Sequence, residues 1–441
     1  MKNSNSEIEK RGSGGGEIGK PFYFQHSLSR RVTFQKRTWT PHSALADQVR
    51  AILTKVCQRG LTACLDYTLK FDQVRLTKKS VLLSAPYFSG KWEDKDFDKA
   101  IREAIRNIRA YHQKQKPGGF SLQSKGVLSG ERWIPLDRVG CYVPGGSAPL
   151  ISTVLMTVIP AKLAGVAHVI VCTPPGKDGG VNPYILRACD LAGADQILNL
   201  GGAQGIGALA FGFQGFQRVD KIVGPGNRFV TEAKRQVFGV VDIDTLAGPS
   251  EICVLADETA NVSYIAADIL SQIEHDPEAI GVIVSMSRKI LDAIPMELEK
   301  QKQDLSRKMI LDSALKNVRM VLVDSLEDGI RCVDALAPEH LEVMVKNPKR
   351  ILKHPFKTGA IFLGNFTPVA VGDFFGGTNH VLPTSGRALF SSPLSVYDFY
   401  RRSSFIGYSR KKMIEVGHLI KTLANREQLP AHEQSVTMRL K

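Results

Sequence analysis

Cysteine is sparse and follows no motif. The seven residues, Cys57, Cys64, Cys141, Cys172, Cys189, Cys253 and Cys332, are odd in number and scattered, and none forms a CxxC pair. That argues against a disulfide framework. Several lie in apolar runs, such as Val171-Cys172 and Ile252-Cys253-Val254, and read as reduced core residues of a cytosolic protein. None stands in the context of a nucleophile. Long hydrophobic runs are also missing: nothing approaches the ~18 apolar residues that mark a membrane helix. The opening MKNSNSEIEKRGSGGGEIGK lacks the apolar stretch of a signal peptide. Nor is there an RNP, zinc-finger or other nucleic-acid signature. The formal net charge is +15, but the basic residues are spread over the whole chain. This suits a basic surface, or a field that draws in anionic cofactors, better than a nucleic-acid footprint.

What is present is ordinary globular material, long enough for roughly two to four domains. Residues 1–20 are rich in Ser and Gly and read as a flexible extension. Residues 44–115 read as helical: Ala46, Val49, Ile52, Leu53 and Val56 recur at helical spacing, as do Ile101, Ile105, Ile108 and Tyr111. From about residue 139, short β-rich runs (HVIVCT, QILNL, VDKIV, VVDID) alternate with helical stretches. The rhythm restarts with ICVLA, IGVIVS, RMVLV, LEVMV and AIFLG. Alternation of this kind indicates βαβ units and a mostly parallel sheet, and its restart hints at a duplication. After residue 395 the pattern reads as helices only. That tail is too short and polar for its own core, and is expected to pack on another surface, such as a partner subunit.

Several constellations could carry chemistry. Gln272 and His275 are one helical turn apart and share a face, a common metal-ligand spacing; on this pair alone a polar helix end is the better explanation. Glu339-His340 sets a carboxylate beside an imidazole just before a strand, giving two groups able to take protons near neutral pH; the alternative is a surface turn. VAVGDFFGGTNHVLPT (369–384) reads as a long glycine-rich loop carrying Asp373 and His380, and such loops are often functional. His432 alone is an unremarkable surface histidine. VGCYVPGGSAPL and GPGNRF each place a glycine turn before a helix, an arrangement that suits an anion. Gly205-Ile206-Gly207-Ala208-Leu209-Ala210 fits G-x-G-x-x-A, but no acidic residue follows at the right distance, which weakens a dinucleotide fingerprint.

Taken together, VGCYVPGGSAPLISTVLM, NLGGAQGIGALAFG, VDKIVGPGNRFVTEAKRQV, DTLAGPSEICVLAD, DILSQIEHDP, LAPEHLEV, VGDFFGGTNHVLPT and QLPAHEQSVTMRL resemble histidinol dehydrogenase, from about residue 44 to residue 440. The resemblance implies oxidation of L-histidinol to L-histidine, through the aldehyde, in two NAD⁺-dependent steps. It implies one Zn²⁺ per site, with Gln272, His275, Asp373 and His432 as ligands. It makes His340 the general base and Glu339 the residue that activates water. Ser250, His380 and Glu427 match substrate contacts, and Tyr142, Gln204 and Asn227 match NAD contacts. The implied architecture is α/β: two Rossmann-like units with small helical arms, in an intertwined homodimer whose C-terminal arm reaches the other subunit's pocket. The expected division is a flexible extension and arm at 1–40, a first unit at 41–141 plus 251–394, a second, NAD-binding unit at 142–250, and the arm at 395–441. The family's relatives include oxidisers of other polar alcohols, and a non-catalytic binding protein on the same fold is the reading from another class. The inferred acid–base and ligand positions, all present, favour histidinol.

Overall fold

The computed structural model describes residues 22–23, 43–87, 92–145 and 149–441. The extension expected at 1–20 and the turn residues Gly146, Ser147 and Ala148 lie outside the described residues.

In chain order, the first half runs β1 (Phe22–Tyr23), α1 (Ala44–Arg59), α2 (Leu61–Phe71), α3 (Lys78–Val81), β2 (Leu82–Ser84), α4 (Lys95–His112), β3 (Phe120–Ser124), β4 (Val127–Pro135) and β5 (Arg138–Tyr142). It continues with α5 (Ile151–Ala164), β6 (His168–Thr173), α6 (Pro183–Ala192), β7 (Gln196–Asn199), α7 (Gly202–Phe211), β8 (Lys221–Val223), α8 (Arg228–Val237) and β9 (Asp242–Ile243). The second half holds β10 (Glu251–Ala256), α9 (Val262–Ile273), β11 (Ile280–Ser285), α10 (Arg288–Lys302), α11 (Lys308–Ala314), β12 (Arg319–Leu322), α12 (Leu326–Leu336), β13 (His340–Met344), β14 (Ala360–Leu363) and α13 (Val369–Phe374). The chain ends with β15 (Tyr400–Tyr408), α14 (Arg410–Arg426) and α15 (Pro430–Leu440).

Two six-stranded sheets result, in the orders β2-β7-β6-β5-β8-β9 and β1-β12-β11-β10-β13-β14. Counted from its first βα strand, each sheet has the order 3-2-1-4-5, with a strand from earlier in the chain beside the third. Within each five-strand set the pairing is parallel. Strands such as Val169–Cys172 and Ile252–Ala256 are buried along their whole length. This is why they read as continuous apolar runs: helices cover both faces of a parallel sheet.

The expected division needs correcting. Residues 41–141 do not belong with 251–394. β2 pairs antiparallel with β7, and β5 lies inside the first sheet. The apolar stripe of α1 (Val49, Ile52, Leu53, Val56) shares a core with Ala203, Ile206, Ala208, Leu209, Val230 and Ala233 of α7 and α8. The α4 stripe (Ile101, Ile105, Ile108) packs with α5 and α6. A stripe of this kind must find an apolar cover, and the first sheet's helices supply it. A boundary at 141/142 would also cut through β5.

The tail is not helical throughout. β15 pairs antiparallel with β4, in a small sheet ordered β15-β4-β3. The glycine-rich loop is not wholly irregular either, because Val369–Phe374 forms a short helix that carries Asp373.

Candidate active site

The second sheet places its chemistry at the amino ends of its strands. Glu251 opens β10, directly after Ser250, and His340 opens β13, directly after Glu339; the two strands pair with Ile252 opposite His340. Helix α9 runs back toward this edge, bringing Gln272 to its last turn and His275 just beyond. Asp373 comes from α13. Cofactors of open α/β sheets usually sit at the carboxyl ends of the strands, so this edge differs from the usual one.

His340 is buried, and its Nδ1 lies 3.1 Å from the Glu251 carbonyl oxygen. A carbonyl only accepts, so we assign the proton to Nδ1, leaving the Nε2 lone pair free. Burial pushes the imidazole down to about 4, despite that hydrogen bond; the neighbouring His380 and His275 push the same way. His340 is therefore neutral at pH 7. Glu339 Oε2 accepts the Glu251 N–H at 3.0 Å and lies 3.6 Å from His340 Nδ1. Burial, with the charges of Glu251 and Asp373, holds the Glu339 carboxyl well above its ordinary range. Glu251 joins the two: its N–H binds Glu339, its C=O binds His340, and its Oε1 accepts the Ser385 N–H at 2.8 Å.

Gln272 hydrogen-bonds Asp373, whose carboxyl burial raises to about 7. His275 is exposed, and partial burial of its ring, with the charge of Arg307, lowers its imidazole despite the neighbouring Glu274. His380 Nδ1 lies 3.0 Å from the Asp373 carbonyl oxygen and its Nε2 3.4 Å from Thr153 Oγ1. Burial pushes His380 down to about 4. Among the described residues no three His, Cys, Asp or Glu side chains are grouped as a metal site; Asp373, His275 and Gln272 together offer a carboxylate, an imidazole nitrogen and an amide oxygen, of which the first two are usual zinc donors. The carboxyl end of α9 adds negative potential beside them. Behind them, Asp268 of α9 and Glu342 of β13 share a carboxyl–carboxyl hydrogen bond. Burial raises both groups, Asp268 to about 6; the charge and hydrogen bond of Asp268 raise Glu342 further, whereas the same hydrogen bond lowers Asp268. Glu342 also accepts the Val369 N–H at 3.1 Å, so this pair ties together the three elements that carry Gln272, His340 and Asp373.

The inferred cofactor residues lie at the carboxyl edge of the first sheet. Tyr142 ends β5, Gln204 sits in the first turn of α7, and Asn227 caps α8. β5 and β8 flank the point where the strand order reverses, the usual crevice for a nucleotide. Tyr142 Oη accepts the Gly202 N–H at 3.0 Å. Asn227 Oδ1 already accepts the Phe229 and Val230 N–H groups at 3.0 and 3.1 Å, which leaves its Nδ2 for a ligand. Gly224 takes φ +107° where a Cβ would collide with the Tyr142 carbonyl, so that turn requires glycine. A buried Lys234–Asp244 ion pair braces it: Lys234 Nζ donates to the Gly224 oxygen at 2.9 Å and Asp244 Oδ2 accepts the Gly224 N–H at 2.7 Å.

Gly205 and Gly207 serve packing instead. A Cβ on Gly207 would meet Val56 and Leu53 of α1 at 3.1–3.2 Å, and one on Gly205 would meet Cys172 Sγ and the Leu200 oxygen at 3.0 Å. The Gly207 neighbours are side chains able to give way, and alanine gains about 1 kcal/mol of helix propensity. Gly207→Ala is expected to fold normally and to keep KM for NAD⁺ within about twofold, whereas a phosphate-cradling glycine would lose tenfold or more. Initial rates against NAD⁺ concentration decide between them.

Two expected residues are not brought to this site within one chain: Glu427 and His432 lie exposed on the C-terminal arm. Sequence reasoning missed Glu251 and Thr153. Glu251 holds Glu339 and His340 through its backbone N–H and C=O, which leave no side-chain signature; its one signal was adjacency to Ser250.

Comparison with known proteins bears on the whole chain. A family model described as histidinol dehydrogenase matches residues 35–440. A histidinol dehydrogenase of Bacillus cereus is 43% identical over 418 residues, 94% of this chain and 97% of the relative. One of Listeria innocua is 46% identical over 397 residues, 90% of this chain and 93% of the relative. The crystal structure of histidinol dehydrogenase from Elizabethkingia anophelis superimposes with a TM-score of 0.88 at 35% identity, covering 97% of this chain and 99% of that one. Sequence and fold agree over most of the chain, and the chain belongs to the histidinol dehydrogenase family.

Proposed function

We propose that this site oxidises L-histidinol to L-histidine in two steps within one pocket, with Zn²⁺ and NAD⁺ as cofactors. The observation that carries the reading is the neutral, buried His340, with its Nε2 free and, beside its Nδ1, the Glu339 carboxyl held above its ordinary range. Gln272, His275 and Asp373, with His432 from the arm of a second copy, would hold Zn²⁺, which would orient the imidazole and amine of the substrate; Tyr142, Gln204 and Asn227 would hold NAD⁺, which would accept hydride. Ser250, His380 and Glu427 complete the substrate's surroundings.

The protein's own residues move the protons. His340 Nε2 takes the alcohol proton as the C–H hydride departs, giving the aldehyde. As water adds to the aldehyde carbon, Glu339 takes a proton from the water and His340 returns its proton to the aldehyde oxygen, giving the diol and a neutral His340. His340 then takes a proton from the resulting diol as the second hydride leaves, giving the carboxylic acid. Each oxidation removes one hydride and one proton. Keeping the aldehyde in one pocket avoids its loss to solvent.

The arm supports the shared site. Ile406, Ile414, Leu419, Leu423 and Leu429 are exposed on it, an apolar face that a second copy would cover. The common order of the two sheets fits descent from one duplicated unit. No helix among the described residues is long and apolar enough to cross a membrane, and a cytosolic homodimer without nucleic-acid partners suits the reading. Purified enzyme given Zn²⁺, NAD⁺ and histidinol is expected to form two NADH per histidine. One NADH with the aldehyde released, or none, overturns it.

A further inference from the structure

Asn379, beside His380, is buried, and its amide is fully engaged. Oδ1 accepts the Val381 N–H at 2.9 Å. Nδ2 donates to the Met156 oxygen at 2.8 Å and to His112 Nε2 at 3.2 Å. The amide's orientation follows from these partners, since an N–H needs the oxygen and a carbonyl needs the nitrogen.

Both acceptors exist for identifiable reasons. In a regular helix the Met156 carbonyl would bind the N–H of residue 160. That residue is Pro160, inside α5, with no N–H to give. His112 closes α4 and is wholly buried, with Nδ1 3.0 Å from the Ile108 oxygen. Its proton therefore sits on Nδ1, and its Nε2 lone pair faces Asn379. Burial lowers this imidazole and keeps it neutral.

The link spans the two halves of the molecule. His112 and Met156 belong to the first unit, and Asn379 to the loop after α13 in the second. The next residue, His380, also reaches α5, through Thr153, one turn before Met156. A buried core that needed only volume would be met by leucine at position 112. A satisfied polar link instead fixes one geometry.

We propose that His112 and Asn379 are positioning residues for His380, with His112 acting through Asn379. The inference rests on the reading of His380 as a substrate contact.

The test is a double-mutant cycle on the full-length, zinc-loaded enzyme, with kcat, KM for histidinol and Tm measured for each variant. His112→Leu is expected to raise KM for histidinol about tenfold while kcat falls less than about threefold. His112→Gln, whose amide oxygen can accept from Asn379, should recover most of that loss. On a His380→Ala background, His112→Leu should add less than about twofold, because the effect passes through a side chain already removed. Should His112→Leu not fold, His112→Asn, which is too short to reach Asn379, replaces it in the cycle. Equal effects of Leu and Gln, or additive effects on the His380→Ala background, overturn the proposal. An unchanged KM in His380→Ala alone overturns the substrate reading of His380 and the proposal with it. A raised KM there with an additive cycle overturns only the positioning link.

Discussion

Replacing His340 with asparagine is expected to slow both oxidations together, by about 10²–10⁴-fold in kcat, the usual contribution of a positioned general base. The substitution is chosen for what it keeps. An Asn side chain can still donate to the Glu251 carbonyl, as Nδ1 does at 3.1 Å, so β13 and its pairing with β10 need not move. What disappears is the Nε2 lone pair. At pH 7 that lone pair is free, because burial drives the imidazole down to about 4. The alcohol and the hydrated aldehyde each lose an O–H proton as hydride departs, so one base serves both. Single-turnover measurements starting from histidinol and from histidinal separate the steps, and zinc content and Tm should stay at wild-type values. If only one step slows, or if zinc is lost with the activity, His340 is not the shared base.

Much of this arrangement was legible in the sequence, and what was not has physical causes. The strands of both sheets stood out because parallel strands are buried on both faces. The edge strand β2 and the arm strand β15 did not. β2 has three residues, too few to show a period, and its partner β7 lies more than a hundred residues away. β15 pairs with β4 but is exposed along most of its length; with no covered face it has no alternation to read. The N-terminal helices showed their apolar stripes plainly, but a stripe does not say which sheet will cover it. In the site, Gln272–His275 and Glu339–His340 were visible as spacings, whereas their joint placement follows from β10 and β13 lying side by side. Asn379 could not be singled out, since its meaning depends on His112, Met156 and the missing N–H of Pro160, all more than 200 residues earlier.

The second large effect belongs to Glu339. Glu339→Gln is expected to cut oxidation of the aldehyde about 10²–10³-fold while oxidation of the alcohol falls less than about tenfold. The amide oxygen of glutamine can still accept the Glu251 N–H, which Glu339 Oε2 holds at 3.0 Å. The protein also bears the change easily. Burial, with Glu251 and Asp373 nearby, raises the proton affinity of the Glu339 carboxyl, which makes its ionised form a stronger base, and glutamine matches the carboxyl in shape. What glutamine cannot do is take a proton from water. Only the second oxidation needs one, because the aldehyde must gain an oxygen before it can lose another hydride. The variant should therefore convert histidinol to aldehyde at near its normal rate and then stall. The first NADH would form in a burst and the second slowly, with histidinal trapped by a hydrazine reagent in the solution. Equal slowing of both steps would place Glu339 alongside His340 in the first proton transfer and remove water activation from its role.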